Sequence, residues 1–526
     1  MTTSGERAAG RSALLVAIGI LCSRLAGLVR LRVFAYYFGL KSDAADAFNA
    51  GFRIPNFLQN LFGEGALSAS FIPVYASLVS TGDRKEADRV AGAVGALLAL
   101  VVAVLVLIGV AATPVLIAVI APGFTGAKRE LTIEIVRILF PGSGVLVLSA
   151  WCLGVLNSHH RFLLSYAAGV VWNAAMVATL VLFGASSLSR LAIALAWGSV
   201  AGSALQFAVQ LPVVLRVAPD LRFAIDAAPA RVRLIARNFI PVFVSRGVVQ
   251  VSAYIDSLLA SLLGTGAVTG LANAQLLYTL PVSLFGMSVS AAELPAMSGV
   301  AGADPAKYDA IRDRLDAGLR RIAFFVVPSA MAFLSLGDVI AAALLQTGRF
   351  TRDDASYVWG ILAGSAIGLL ASTLARLYAS TCYALQDTRT PLRFALVRVA
   401  LTTVLGYLFA IPLPRALGIP VVWGVAGLTA SAGIAGWVEM WLLRRRLNAR
   451  IGRTGLAANY LIKLWVAAGC GAAVAWAVKL AVPVMHPALM AVVVLTPYGA
   501  VFLLMGIALR LPVVSQMMAG FGRSGT

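Results

Sequence analysis

The chain of 526 residues is too apolar for a soluble protein, because hydrophobic residues make up 60% of it, charged residues 12%, and the mean hydropathy is +0.90. Soluble proteins carry about 25% charged residues, since a water-facing surface needs polar cover. The net charge of +20 would suggest a nucleic-acid partner in a soluble chain. In a membrane protein the same excess arises from cations in cytoplasmic loops, so we expect no nucleic-acid partner.

The apolar segments predict an all-α protein that crosses a membrane many times. A spanning helix needs about 20 mostly apolar residues, and such runs must be helical because the bilayer offers the backbone no hydrogen-bond partners. The short alternating segments of a membrane β-barrel are not found in the sequence. We count about fourteen candidate spans, near residues 12–37, 47–76, 89–121, 131–156, 162–184, 190–215, 234–263, 267–298, 320–346, 356–384, 392–412, 421–443, 457–482 and 487–510.

The loops between these spans predict the orientation of the chain. If the N-terminus is cytoplasmic, the cytoplasmic loops include 84–89, 216–237 and 444–453, each of which contains three or more lysines and arginines. The opposite loops 264–270 and 482–489 contain no lysine or arginine. Because cytoplasmic loops collect cations, this asymmetry predicts that both termini lie in the cytoplasm and that the number of spans is even.

The longest predicted cytoplasmic connection divides the chain into two lobes. Two-bundle folds with a central site are common among transporters, so this division rests on analogy. We predict a cytoplasmic N-terminus at 1–11, a six-helix lobe at 12–217, a cytoplasmic linker at 218–233, a second six-helix lobe at 234–446, and two extra helices with a tail at 447–526.

The second predicted span carries a stripe of polar residues on one face. Asn49, Arg53, Asn56, Asn60 and Glu64 recur at helical spacing. An arginine at the centre of a membrane helix costs about 2.5–3.5 kcal/mol, so such residues normally face a bundle interior or a wet cavity. Asparagine alone can bond neighbouring helices, but a stripe that also contains a cation and an acid favours the lining of a cavity.

Further cations occur in other predicted spans. The first span carries Arg24 and Arg30, the seventh carries Arg246 with Gln250, and the tenth carries Arg376. The planar guanidinium fork stays protonated and can donate two parallel hydrogen bonds to phosphate oxygens, which predicts a pyrophosphate-binding cavity. A membrane enzyme would need a carboxylate pair, a histidine-based nucleophile site or a metal site, and we find none in the sequence. We therefore predict a transporter that uses no metal site.

A series of motifs recurs along the chain from about residue 12 to 510. In one-letter code they are SRLAGLVR at 23–30, ADAF at 45–48, RIPNF at 53–57, FGEGALS at 62–68, FIP at 71–73, LP at 294–295, GRF at 348–350 and YALQDTRTP at 383–391. In this order they resemble the MurJ/MviN lipid II flippases of the MOP exporter superfamily. The block from the first two spans is the most specific part of the resemblance.

The resemblance implies a function for the whole chain. Members of this family move lipid II, an undecaprenyl-pyrophosphate-linked muropeptide, from the inner to the outer leaflet of the bacterial inner (cytoplasmic) membrane. The expected mechanism is alternating access between two lobes around a cationic cavity, and the expected partners are lipid II and membrane lipids. Arg24 and Arg30 match family arginines that meet the diphosphate, while Asp46 and Glu64 match acidic positions near the cavity and its gates.

The resemblance also suggests how transport is driven. Asp256, Asp387 and Thr403 lie near positions that form a sodium site in some family members. A monovalent cation such as Na⁺ and the membrane potential are therefore the expected energy sources, and no organic cofactor is expected.

The chain departs from the family at two places. It has Gln59 and Asn60 where the family often has an arginine late in the second span, and it has Gln275 and Thr279 where the eighth span often carries an arginine with a nearby acid. These departures leave an alternative open, which is a related exporter of the MOP superfamily that carries another lipid-linked oligosaccharide or a small cationic substrate.

Overall fold

The computed structural model describes residues 2–62, 67, 70–159, 161–224, 229–298 and 305–514, and these ranges are helical with no β-strand. A π-helical turn, Val282–Met287, and a 3-10 turn, Val421–Trp423, interrupt the α-helices. The helices are α1 (Thr2–Phe38), α2 (Asp43–Phe62), α3 (Ile72–Ser80), α4 (Arg84–Ile120), α5 (Gly126–Ser158), α6 (Phe162–Phe183), α7 (Leu188–Val217), α8 (Pro229–Ser261), α9 (Ala267–Pro281), α10 (Ser288–Ser298), α11 (Pro305–Leu345), α12 (Arg352–Ala384), α13 (Arg389–Ala410), α14 (Pro412–Ala416), α15 (Gly424–Ile451), α16 (Ala458–Ala481) and α17 (Pro487–Ala508).

The prediction of an all-α, multi-pass membrane protein is confirmed. Within the described ranges, ten helical segments are long and apolar enough to cross a membrane. They coincide with ten of the predicted spans, and a large side chain on one of these helices, Leu480 of α16, is more than three-quarters exposed, as expected where a helix faces lipid. The other four predicted spans fall on α1, on α2 with α3, on α6 and on α8. The count of fourteen and the orientation of the termini stay predictions.

The helices group into two compact units. Unit 1 is Met1–Leu258 with Thr347–Arg349, and unit 2 is Leu259–Gln346 with Phe350–Thr526. The boundaries of the two predicted six-helix lobes follow a different criterion, the loop pattern, and they stay a prediction.

In unit 1, α5 packs against α2, α4 and α7, while α6 packs against α1 and α7. One core cluster surrounds Tyr75 and Trp151, and a second surrounds Phe48 and Met176. The second cluster brings α1, α2, α5 and α6 together. It therefore positions the polar residues of the first two helices.

In unit 2, α12 packs against α11 and α15, and α15 also packs against α13. Glycines allow α12 and α15 to approach closely. A Cβ atom placed on Gly368 would lie 2.2 Å from the Cα atom of Gly433, and one on Gly364 would lie 2.3 Å from the carbonyl oxygen of Ala426. Small residues at such contacts let membrane helices pack through their backbones. This contact fixes which side chains of α12 and α15 face each other.

Candidate functional site

The structure describes most of the side chains that the sequence singled out. Unit 1 contains Arg24, Arg30, Asp46, Asn49, Arg53, Asn56, Asn60 and Asp256, and unit 2 contains Arg376, Asp387 and Thr403. Glu64 and the side chains of Arg246 and Gln250 lie outside the described part of the chain. The predictions for these three residues stay untested.

Arg30 is held by aromatic rings. Its guanidinium carbon lies 4.9 Å from the ring centroid of Trp172 on α6 and 5.6 Å from that of Phe52 on α2. The Nη1 group donates to the sulfur of Met176 across 3.4 Å. Phe52 and Trp172 stack on each other with their centroids 5.7 Å apart, so the two rings form one continuous surface for the cation. Three helices thus position one arginine.

The charge of Arg30 has no counter-ion in the part of the chain that the structure describes. Its Nε group is buried and has no hydrogen-bond partner. A ring attracts a cation through its quadrupole without neutralising it. Arg30 therefore keeps a full positive charge and an unused donor, which is the chemistry needed to bind an oxyanion.

Arg53 lies on the next helix and contacts α8. The Tyr254 hydroxyl donates to the carbonyl oxygen of Arg53 across 2.9 Å, and the Tyr254 ring meets Phe57 edge-on at 5.5 Å. The Arg53 guanidinium interacts electrostatically with Asp256, which follows Tyr254 by two residues. The structure therefore brings together two residues that the sequence had placed in different sites, Arg53 in the pyrophosphate site and Asp256 in the cation site.

The remaining polar residues of α1 and α2 differ in exposure. Arg24 and Asn60 are exposed, while Asn49 and Asn56 are half-buried. The Asn49 amide donates to the Ala45 carbonyl oxygen of its own helix across 2.9 Å. These residues lie along the same two helices as Arg30 and Arg53. The shared cavity-lining face that the helical spacing predicts for them stays a prediction.

Asp46 has a different environment from the arginines. Its side chain is completely buried, and Oδ2 accepts from Lys128 Nζ across 2.8 Å. The same amine lies 3.1 Å from Asp43 Oδ1 and 4.4 Å from the centroid of the Phe124 ring. The pair joins the first turn of α2 to the first turn of α5. Sequence reasoning missed Lys128, although it is a cation just before the start of the predicted span 131–156.

In unit 2, Arg376 of α12 is exposed and interacts electrostatically with Tyr278, Arg398 and Glu439. Arg398 of α13 forms an ion pair with Glu439 of α15, with Nη1 and Oε2 3.1 Å apart. The Tyr278 hydroxyl shares a hydrogen bond of 2.6 Å with Ser372, one turn before Arg376. Sequence reasoning missed Arg398 and Glu439, although both are charges inside otherwise apolar spans.

Asp387 and Thr403 make local contacts. Asp387 lies between α12 and α13 and accepts from the Thr390 amide across 3.0 Å and from the Thr390 hydroxyl across 2.7 Å. Burial alone would raise the pKa of Asp387, but the hydrogen bonds from Thr390 and the charge of Arg450 outweigh it and lower the pKa. The Thr403 hydroxyl donates to Val399 O across 2.8 Å. The cation-site role of both residues stays a prediction.

Comparisons with known proteins identify the family of the chain. The family model described as lipid II flippase MurJ matches residues 34–509. A Burkholderia cenocepacia protein named lipid II flippase MurJ is 33% identical over 449 residues, which covers 84% of this chain and 84% of that protein.

Two solved structures share the fold. A lipid II flippase MurJ in an inward closed conformation superposes with a TM-score of 0.77 at 22% identity and covers 94% of this chain and 99% of its own. An inward-facing multidrug resistance MATE family transporter of the MOP superfamily superposes with a TM-score of 0.65 at 16% identity, covering 82% and 98%. The extent of the family match and the identity to the Burkholderia protein show that the chain belongs to the lipid II flippase MurJ family.

Proposed function

We propose that the chain carries lipid II from the inner to the outer leaflet by alternating access and that arginines inside its helices hold the pyrophosphate. The chain is a lipid II flippase like its family, and it is a transporter rather than an enzyme. The finer assignment concerns which side chains bind the substrate and how transport is driven.

The observation that carries this proposal is the environment of Arg30. Its charge rests on Trp172 and Phe52, and among the described residues it has no carboxylate partner and its Nε group is an unused donor. An arginine in a bilayer is costly unless it meets a wet cavity or a ligand. A pyrophosphate supplies oxygens for charge-assisted hydrogen bonds with the guanidinium fork. The ring contacts hold the fork in place before the substrate arrives, which reduces the entropy lost on binding.

Arg24, Arg53 and the asparagines Asn49, Asn56 and Asn60 extend the same proposed site. Arg24 is exposed on the helix that carries Arg30, and Arg53 follows Phe52 directly on α2. We assign Arg246, Gln250 and Arg376 to the lining of the cavity and Glu64 to its gate, as the sequence predicts. Asp46 would act at the gate through its pair with Lys128.

The pairing of Arg53 with Asp256 suggests how release is coupled to a cation. Asp256 interacts with Arg53. A monovalent cation such as Na⁺ near Asp256 would compete with Arg53 for the carboxylate and so change the charge available for the pyrophosphate. Asp387 and Thr403 complete the proposed cation site. An inside-negative potential also favours outward movement of the anionic head group, by about 2.3 kcal/mol per charge per 100 mV.

We place the chain in the bacterial cytoplasmic membrane with both termini inside, since the loops with several arginines then face the cytoplasm. Its partners would be undecaprenyl-pyrophosphate-linked muropeptide and membrane lipids, and no nucleic acid. The alternative is a related exporter that carries another lipid-linked oligosaccharide or a small cation. It remains open because the chain shares its fold with a MATE transporter. The charge of Arg30, which no carboxylate of the described ranges pairs with, favours an anionic substrate over a cationic one.

The test is replacement of Arg30 in a strain depleted of its own lipid II flippase. Arg30→Met keeps the contacts of the stem but removes the charge, and we expect at least a tenfold loss of lipid II reaching the outer leaflet, since charge-assisted hydrogen bonds contribute about 1.5–3 kcal/mol. Arg190→Met, at an exposed position on α7, is the matched control and should support normal flipping. Normal flipping by Arg30→Met at equal protein level would rule out phosphate capture by Arg30.

A further inference from the structure

A second group of charges lies inside unit 2, on three neighbouring helices. Arg398 Nη1 of α13 lies 3.1 Å from Glu439 Oε2 of α15. Arg376 of α12 interacts electrostatically with both residues, but within the described part of the chain it forms no ion pair of its own. The three side chains, two guanidinium groups and one carboxylate, therefore keep one net positive charge.

The packing of α12 on α15 brings Arg376 and Glu439 to the same level. The two helices run in the same direction, and their contacts advance in step. A Cβ atom on the glycine of each pair would lie within 4 Å of the partner residue, and the pairs are Gly364 with Ala426, Gly368 with Gly433, and Gly436 with Ser372. About one turn beyond Ser372 and Gly436 in sequence lie Arg376 and Glu439, which interact electrostatically. The glycine register therefore fixes this charged group.

The group lies well inside the spanning segments. At about 1.5 Å per residue, Arg376 is about 12 Å from the end of α12 and Arg398 is about 14 Å from the start of α13. Arg398 lies near the middle of α13, and Arg376 lies in the C-terminal half of α12, a helix that at about 50 Å is longer than a hydrocarbon core of about 30 Å. Arg376 is nevertheless exposed, and the Arg398 side chain is 38% exposed. A charged side chain accessible at this depth needs polar surroundings rather than acyl chains, so a polar ligand can reach it.

Neutral hydrogen-bonding groups continue along the Arg376 face of α12. Ser372, Ser380 and Tyr383 recur at helical spacing around Arg376, over about 16 Å of helix. Ser372 is joined to Tyr278 by a hydrogen bond of 2.6 Å, and Tyr383 is 47% exposed. A long row of hydroxyl groups with a single net positive charge matches an extended polar chain that bears a carboxylate. A compact pyrophosphate, with two charges on adjacent groups, would need more cations at one point.

We propose that Arg376 binds a carboxylate of the peptide portion of the transported head group. Glu439 holds Arg398 and so leaves one free guanidinium fork, which suits one carboxylate. The hydroxyl groups of the Arg376 face hydrogen-bond to the rest of the peptide. This inference rests on the proposed function, because it assumes that the ligand is a pyrophosphate-linked muropeptide. In this proposal unit 2 recognises the peptide, and the arginines of unit 1 do not need the peptide to bind the pyrophosphate.

The experiment compares two ligands on the full-length protein in lipid nanodiscs. One is undecaprenyl-pyrophosphate carrying the disaccharide with its peptide, and the other carries the same disaccharide without the peptide. We expect Arg376→Gln to weaken binding of the peptide-bearing ligand about tenfold, the loss typical of one charge-assisted contact. Binding of the peptide-free ligand should change less than twofold. Arg393→Gln, an exposed arginine near the start of α13, is the matched control and should bind both ligands like the wild type.

The outcomes separate this inference from the proposed function. Equal losses for both ligands would assign Arg376 to the pyrophosphate or to the fold, and no loss for either would remove it from the site, so both results overturn the inference. If wild-type protein bound neither ligand, the proposed function itself would be wrong. Should Arg376→Gln fail to fold, Arg376→Lys carries the test. It keeps the charge but loses the fork, and we expect an intermediate loss confined to the peptide-bearing ligand.

Discussion

Lys128 donates to the buried carboxylate of Asp46 across 2.8 Å, and this ion pair joins the first turn of α2 to the first turn of α5. Asp46 is completely buried and the Lys128 side chain is 12% exposed. Removing one partner of a buried pair leaves an uncompensated charge and costs about 3–5 kcal/mol, whereas removing both costs less. The pair therefore couples the stability of the two helices.

We expect Lys128→Met to lower the melting temperature of the purified protein more than the double variant Lys128→Met with Asp46→Leu does. The reason is that the double variant has no buried charge left without a partner. Thermal unfolding of all three proteins in the same detergent measures the effect. Lys41→Met, at an exposed position in the preceding loop, should melt like the wild type. Additive losses from Lys128→Met and Asp46→Leu would show that the two side chains act independently.

The rings around Arg30 should matter for transport as well as for stability. We expect Trp172→Leu to reduce lipid II flipping several-fold, because the cation–π contact at 4.9 Å that orients the guanidinium is lost. Trp172→Phe keeps a ring and should retain most of the activity. A flipping assay with matched protein levels distinguishes the two variants. Equal activities of the Leu and Phe variants would show that orientation by the ring is unimportant.

The contact between α12 and α15 should tolerate no side chain on Gly368. A Cβ atom there would lie 2.2 Å from the Cα atom of Gly433, so the backbones must move apart. We expect Gly368→Ala to destabilise the protein by about 1–3 kcal/mol, the usual cost of overpacking. Gly499→Ala is the control, because no atom lies within 4 Å of its Cβ position and alanine favours the helix. Thermal unfolding in detergent compares the two, and an unchanged melting temperature for Gly368→Ala would contradict the close contact.

Asp387 should make stability depend on pH in the acidic range. The pKa of Asp387 is lowered in the folded protein, because the hydrogen bonds from Thr390 and the charge of Arg450 outweigh the effect of burial. A lowered pKa means that the contribution is present above the unfolded value of about 4 and is lost as the pH falls through the folded value. We expect Asp387→Asn to melt below the wild type at neutral pH and the difference to shrink below about pH 4. A difference that stays constant with pH would exclude this origin.

Much of the fold followed from the sequence because a membrane imposes simple rules. Apolar runs had to be helices, and the helical spacing correctly indicated that Asn49, Arg53 and Asn56 share α2. The charges inside the apolar spans also marked Arg30 and Arg376 for attention, and the first is half-buried against rings while the second lies in a charged group.

The partners of these residues were beyond the reach of the sequence. Trp172 and Met176 meet Arg30 across more than 140 positions of chain, and Glu439 meets Arg398 across 41. Periodicity says which residues share a face of one helix, but it does not say which faces of different helices meet. That information depends on packing, such as the glycine contact between α12 and α15.

The π-helical turn Val282–Met287 changes how the eighth predicted span has to be understood. A π-helical turn adds roughly one residue to the repeat, which advances the azimuth of every later side chain by about 100°. A helical wheel drawn through the whole segment 267–298 would therefore assign the residues of α10 to the wrong side. Because of this rotation, Glu293 of α10 faces Arg314 of α11, with Oε2 and Nη1 3.7 Å apart. Deleting one residue from the turn would rotate the Glu293 carboxylate away from Arg314, while α9, which precedes the turn, would keep its position.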